Sequence, residues 1–177
     1  MSNFHGRGVM RPGDTVHVGY KLVRIIGQSG TATVFEARNP LTAQPVAIKQ
    51  LIPKISSNIE AVLRYFRDCR HAANLGSPHI AKVFDLGRDA KGQLFLVMDL
   101  IEGDTLGTVL HRDGPLSIQR SASMGLQVCD ALIRAHASGL LHQDLTPENI
   151  FLSTKNDEKD HVTITDFGVG ALREALQ

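Results

Sequence analysis

The chain has no tryptophan, only two cysteines, and aromatic side chains at just 5% of its 177 positions. Two isolated cysteines cannot build a disulfide framework. Cys69 and Cys129 fall inside helix-like patterns and read as buried, reduced thiols of a cytoplasmic protein. Net charge is also nearly absent, at +1, so no broad basic field points to nucleic acid or an anionic membrane. No run approaches the roughly 18 apolar residues of a spanning helix. Met1 to Arg11 is polar and glycine-rich and lacks the apolar stretch of a signal peptide. There is no internal repeat and no low-complexity tract. What remains is ordinary for a globular protein, 42% hydrophobic and 21% charged. The length suffices for one domain or two small lobes.

The pattern along the chain divides in two. Residues 1–18 read as a loose, flexible lead-in. Tyr20 to Ile26 and Thr33 to Arg38 read as paired strands around a small-residue loop, and Val46 to Leu51 as an apolar third strand. Ser56 or Ser57 would cap a helix reaching about Leu75, which Gly76-Ser77-Pro78 ends. Two more strands follow, Ile80 to Leu86 and Gln93 to Leu100. The first part, residues 19–102, is therefore five strands and one helix, with a hinge near Glu102-Gly103. Residues 103–177 change character. Thr105 to His111 is a short helix and Ser117 to Ser138 a long one, carrying Ile118, Ala122, Gly125, Val128 or Cys129, Leu132 and His136 near a helical period and stopped by Gly139. Ile150 to Leu152 and Val162 to Thr165 are short strands, and the mixed charges of Lys155 to Asp160 between them read as a solvated turn.

Four motifs carry the chemistry. The loop Gly27-Gln28-Ser29-Gly30-Thr31-Ala32-Thr33-Val34 lies between two strands, which argues against a dinucleotide fold, and it lacks the Gly-Lys-Ser/Thr ending of a P-loop. Val46-Ala47-Ile48-Lys49 ends a strand on a lysine. His142-Gln143-Asp144-Leu145-Thr146-Pro147-Glu148-Asn149 groups hard oxygen ligands in a polar turn. Asp166-Phe167-Gly168 follows seventeen residues after Asn149. In this order and spacing they resemble a protein kinase domain of the bacterial serine/threonine type, over residues 19–177. That resemblance implies an α+β, bilobal fold: a five-stranded antiparallel N-lobe with one helix, then a partial, mainly helical C-lobe. The chain stops nine residues after Gly168, so the rest of the C-lobe is expected to be missing and the long helix to leave an apolar face open.

The resemblance also assigns roles. Ile26, the loop from Gly27 to Val34, and Ala47 would surround ATP, with Met98 as gatekeeper, Asp99 and Leu100 leading into the hinge, and Phe151 below the adenine. Lys49 would hold the α- and β-phosphates. Asp144 would accept the proton of a protein serine or threonine hydroxyl, and Asn149 and Asp166 would hold Mg²⁺. His142 would pack against Phe167 in a stack with Ala72 and Val83. Several positions depart from the pattern. Ser29 and Ala32 replace glycines. Asp68 stands where a glutamate usually positions the lysine, one methylene or about 1.3–1.5 Å short; on its own chemistry it would instead pair with Arg64 at the surface. Gln143 replaces an arginine and cannot make a charge-assisted pair with a phosphorylated loop. Thr146 replaces the lysine that meets the γ-phosphate, and no arginine lies between Asp144 and Asn149. A slow enzyme is the expectation, with Thr146→Lys raising turnover. The alternative class is a nucleotide-binding pseudokinase or interaction module. A small-molecule phosphotransferase sharing the His-x-Asp-x-x-x-x-Asn turn is disfavoured by the Val-Ala-Ile-Lys strand and by Asp-Phe-Gly.

Overall fold

The computed structural model describes residues 10–16, 19–89, 92–155, 157–174 and 176. Residues 1–9 and 17–18 of the expected lead-in lie outside them. The rest of that lead-in is not loose: Met10 is buried, and the short strand β1 (Thr15–Val16) pairs with β2 (Tyr20–Gln28) through Val16 and Tyr20. The described chain forms two compact units. One holds the described residues up to Ile59 with Phe84–Leu100; the other holds Glu60–Val83 and residues 101–174. The division therefore falls two residues before the expected hinge. The helix assigned from sequence to the first lobe groups instead with the second, because its buried side chains pack there.

In the first unit, β3 (Ala32–Arg38), β4 (Pro45–Leu51), β5 (Val83–Arg88) and β6 (Leu94–Asp99) complete a six-stranded sheet in the order β1-β2-β3-β4-β6-β5, and the one-turn helix α1 (Pro53–Ser56) follows β4. The sixth strand is β1, which five-strand counting from sequence omits. The core of this unit follows from the two-residue period of a strand. Tyr20 and Leu22, Phe35 and Ala37, Val46 and Ile48, and Phe95 and Val97 form one buried cluster. The register sets Leu22 opposite Ala37, Phe35 opposite Ile48 and Ile48 opposite Val97, so one face is apolar across four strands. The single helix expected from Ser56 onward is broken: Ser57 Oγ donates to the Lys54 carbonyl at 2.8 Å and closes α1, and a new helix starts at Ile59.

The second unit begins with α2 (Ile59–Ala73), whose buried residues Val62, Tyr65, Cys69 and Ala72 recur at helical spacing on one face. The strand β7 (Gly103–Thr105) was not foreseen. Helices α3 (Leu106–Asp113) and α4 (Ile118–Ala137) follow, capped by Thr105 on the Thr108 amide and by Ser117 on the Arg120 amide. A 3₁₀ turn, Pro147–Asn149, leads into β8 (Ile150–Lys155) and β9 (Glu158–Ile164), and α5 (Gly170–Glu174) is the last helix described. β7, β8 and β9 make a three-stranded antiparallel sheet. Met124, Ala131 and Ala135 of α4 bury against Ile150, Leu152, Val162 and Ile164 in one cluster with Ala72 and Phe167. Gln127 secures α4 to β9, donating to the Asp160 carbonyl at 3.0 Å and accepting from the Val162 amide at 2.9 Å. Asp160 is thus no solvated turn residue; it also takes a two-pronged pair from Arg120 at 2.7 and 2.8 Å.

The opposite side of α4 is open, as expected. Ile118, Leu126 and Ile133 are 88%, 74% and 67% exposed, and Cys129 on that side is exposed as well, contrary to its reading as a buried thiol. At the helix end, Gly139 adopts φ 77°, which lets the Leu140 amide return to the Ala135 carbonyl.

Gly87 of β5 leaves no room for a side chain: an added Cβ would run into the fully buried Phe95 ring. The substitution Gly87→Ala should lower stability by about 1–3 kcal/mol, read from urea unfolding, because a fully buried ring must shift to admit the methyl group.

Candidate active site

In the first unit, the sheet's two faces separate core from chemistry. The core face carries Phe35, Ile48 and Val97. The register places Val34 opposite Lys49, Lys49 opposite Leu96, and Ala47 opposite Met98. Val34, Ala47, Lys49 and Met98, all singled out in the sequence, therefore share the other face, with Leu96 between them, a residue that sequence reasoning passed over. Lys49 and Met98 are both buried. Asp99 sits opposite Val46 at the end of β6, and Leu100 is the last residue of the unit before the chain crosses.

The loop is shorter than the sequence implies. Ile26, Gly27 and Gln28 belong to β2, and Ala32, Thr33 and Val34 to β3, with Gly27 opposite Val34 and Gln28 opposite Thr33. Only Ser29, Gly30 and Thr31 turn. The Ser29 side chain organises that turn. Its hydroxyl accepts from the Thr31 and Ala32 amides at 3.3 and 3.2 Å, while the Ser29 amide bonds the Ala32 carbonyl at 2.9 Å. Serine in place of glycine thus supplies an internal cap for backbone donors.

In the second unit, the catalytic-type turn is fixed by main-chain contacts. Asn149 Nδ2 donates to the Asp144 carbonyl at 2.8 Å, and the Thr165 amide donates to the Asn149 carbonyl at 2.9 Å. These two bonds bring Asp144, Asn149 and Asp166 onto one local frame. They also leave the Asn149 side-chain oxygen as the acceptor of that amide. Gln143 and Asp166 both hold left-handed backbones, φ 69° and 64°, an unusual conformation for non-glycine residues and one that concentrates at functional sites. Phe151 lies on β8, half-buried, opposite Thr163.

His142 is buried, packs against Phe167 with ring centroids 4.7 Å apart and planes tilted by 56°, and shares a 2.8 Å hydrogen bond through Nε2 with the Thr165 carbonyl. Its Nδ1 has no hydrogen-bond partner. Burial pushes its pKa below the usual imidazole value, against the opposing pull of the Thr165 carbonyl, so the ring is a neutral packing element. Ala72 belongs to the same core cluster as Phe167, and Val83 is buried.

Three contacts were not foreseen. Tyr65, fully buried on α2, donates its hydroxyl to Asp166 Oδ1 at 2.7 Å; burial and the neighbouring carboxylate push its pKa well up and keep it a donor. The Cys69 thiol lies 3.2 Å from the Phe167 carbonyl. Arg173 of α5 pairs with Asp144, Nη2 to Oδ2, at 2.7 Å. The buried-face period of α2 marks Tyr65 as an inward residue, but nothing in the sequence says what its hydroxyl meets. Asp68 does not pair with Arg64. It contacts its neighbour Arg67 at 3.4 Å and packs so closely on Gly168 that a Cβ there would collide with it, while Arg64 bonds Glu174 at 3.3 Å.

Among the described residues, no group of three or more His, Cys, Asp or Glu is placed to hold a metal ion. Asp166 and Asn149 would offer one carboxylate and one amide oxygen, a set suited to a cation that takes most of its ligands from phosphates and water.

The protein kinase domain family matches residues 20–175, and the chain belongs to that family. It is 33% identical over 163 residues to the serine/threonine-protein kinase pkn3 of Myxococcus xanthus, covering 92% of this chain and 30% of pkn3. It is 36% identical over 152 residues to PknE of Mycobacterium bovis, covering 86% of this chain and 26% of PknE. The crystal structure of a double mutant of the Mycobacterium tuberculosis PknI kinase domain superposes with a TM-score of 0.76 at 30% identity, over 92% of this chain and 63% of that one. The chain thus spans about a third or less of these curated relatives, and under two thirds of the solved domain.

The neutral His142 makes acid stability readable. Its folded pKa lies below its unfolded value, so below about pH 6.5 the unfolded chain binds the extra proton and unfolding gains. The stability contribution is complete above that pH and declines as pH falls toward the folded value. Urea titrations between pH 7.5 and 5 should show this decline, and His142→Asn should flatten that part of the profile.

Proposed function

We propose that the chain is part of an ATP-dependent serine/threonine protein kinase that transfers the γ-phosphate of ATP to a protein hydroxyl. The observation that carries this reading is the turn in which the Asn149 amide holds the Asp144 carbonyl at 2.8 Å while Thr165 ties Asn149 to the segment before Asp166. In this reading Lys49 binds the α- and β-phosphates from the first unit. Ile26, the Gly27–Val34 segment, Ala47, Met98, Asp99, Leu100 and Phe151 surround the nucleotide. Asn149 and Asp166 hold Mg²⁺, which when bound screens the phosphate charges. Asp144 orients the acceptor hydroxyl and takes its proton.

Serine and threonine are favoured over tyrosine because the turn keeps the Pro147-Glu148 of that class, and because the named relatives are serine/threonine-protein kinases. The near-neutral net charge supports a protein substrate over nucleic acid. A cytoplasmic setting is the companion proposal: no helix among the described residues is long and apolar enough to cross a membrane, and no disulfide framework is present.

The test is phosphotransfer from radiolabelled ATP to a generic basic protein substrate, with the full-length protein and Mg²⁺. Wild type should label the substrate. Asp144→Asn should lower kcat at least about a hundredfold with nucleotide binding retained, whereas Lys49→Met should weaken nucleotide binding as well. Calorimetric ATP binding with no transfer by wild type would instead establish the non-catalytic nucleotide-binding reading.

A further inference from the structure

We propose that Arg173 supplies the cation that the catalytic turn lacks at Thr146: its guanidinium orients the Asp144 carboxylate and presents its remaining donors to the phosphoryl group in transfer. The inference rests on the kinase reading of the same site and adds a residue to it.

The turn itself carries no positive charge from Asp144 to Asn149, and Thr146 offers only a hydroxyl. Yet phosphoryl transfer depends on charge stabilisation around the moving group, and a missing cation there must be replaced or the rate falls. Arg173, twenty-nine residues after Asp144, pairs with the Asp144 carboxylate at 2.7 Å. The two ends of the pair differ. The Asp144 side chain is 16% exposed and the Arg173 side chain 60%. The carboxylate is sheltered while much of the guanidinium faces outward, and a pair made through Nη2 leaves most of a five-donor fork for another anion.

This placement is not that of a loose surface arginine. Its two predecessors, Ala171 and Leu172, are buried, and the Leu172 and Arg173 amides both return to the Val169 carbonyl, at 3.0 and 3.3 Å. The next residue, Glu174, bonds Arg64 of α2. At the other end, Gly170 lies so close to the Gln143 side chain that an added Cβ would strike it. The segment is therefore seated on the turn through Gly170 and Gln143, and anchored by Leu172, with Arg173 directed at Asp144. In the reaction, the acceptor oxygen forms a bond to the γ-phosphorus as the bridging bond to the β-phosphate breaks. The hydroxyl proton passes to Asp144 and then to water, and the leaving charge departs on ADP. Arg173 exchanges no proton; it offsets charge on the equatorial oxygens.

The test uses the full-length protein with the variants Arg173→Ala, Arg173→Lys and the double variant Arg173→Ala/Thr146→Lys. kcat and KM for ATP are measured with Mg²⁺, and affinities for AMP-PNP and ADP by calorimetry. A charge that acts on the transferring group predicts a kcat about 100-fold lower in Arg173→Ala with KM little changed, most activity kept in Arg173→Lys, and recovery of about tenfold or more in the double variant. It also predicts that Arg173→Ala loses preference for AMP-PNP over ADP, a readout that needs no turnover. A rise in kcat in Arg173→Ala would overturn the proposal and make the pair a restraint on the base. Unchanged kcat and unchanged nucleotide preference would reduce it to a surface ion pair. If wild type transfers no phosphate, the kinase reading fails, and the nucleotide preference alone decides the role of Arg173; an absence of binding to either nucleotide overturns both.

Discussion

The polar turn of the second unit depends on one hydrogen bond, from the Asn149 side chain to the Asp144 carbonyl. A tight polar turn exposes main-chain groups that neither helix nor strand can pair, and each must find a partner. Asn149 answers for Asp144, and the Thr165 amide then answers for Asn149. Through these two bonds the turn is joined to the end of β9, and β9 is held in place by Gln127 of α4 and by pairing with β8. The long helix, the three-stranded sheet and the buried His142–Phe167 pair support the turn that carries Asp144 and Asn149 and the segment that leads into Asp166.

The first unit rests on parity. Core residues of β3, β4 and β6 fall on one set of alternate positions, and Val34, Ala47, Lys49 and Met98 fall on the other. A register slip of one residue would exchange the two sets, setting the lysine among Phe35 and Val97 and carrying the core side chains to the opposite face. Register and chemistry are therefore specified by the same pattern. The lysine's immediate neighbours, Ile48 and Gln50, are buried together with it, so the strand has little freedom to slip.

Much of this was legible in the sequence because it is local. Strand periodicity gave β2 to β4 and β6, Ser117 and Gly139 bracketed α4, and the spacing of the four motifs pointed to the kinase fold. The missed features depend on contacts distant in sequence. Whether residues 10–16 are loose depends on Val16 finding Tyr20, and the turn around Asp160 is ordered by Arg120, forty residues earlier. Tyr65 meets Asp166 across a hundred residues, and Arg173 meets Asp144 only because the chain after Gly168 folds back over Gln143. Asp68 illustrates the same limit. Its charge invited a surface partner, but its place is set by the bare backbone of Gly168. A shorter acid and a residue without a side chain fit each other there, so the two positions should be read as a pair.

The Ser29 turn also bears on how the loop meets a ligand. A glycine-only loop is ordered by its ligand and loses its conformational freedom on binding. Here the hydroxyl already holds the Thr31 and Ala32 amides before any anion arrives. An incoming phosphate would meet a loop that has surrendered much of its disorder but whose donors are engaged. Association would then be an exchange of one oxygen acceptor for another, with a smaller entropic loss and a smaller enthalpic gain than in a glycine-only loop.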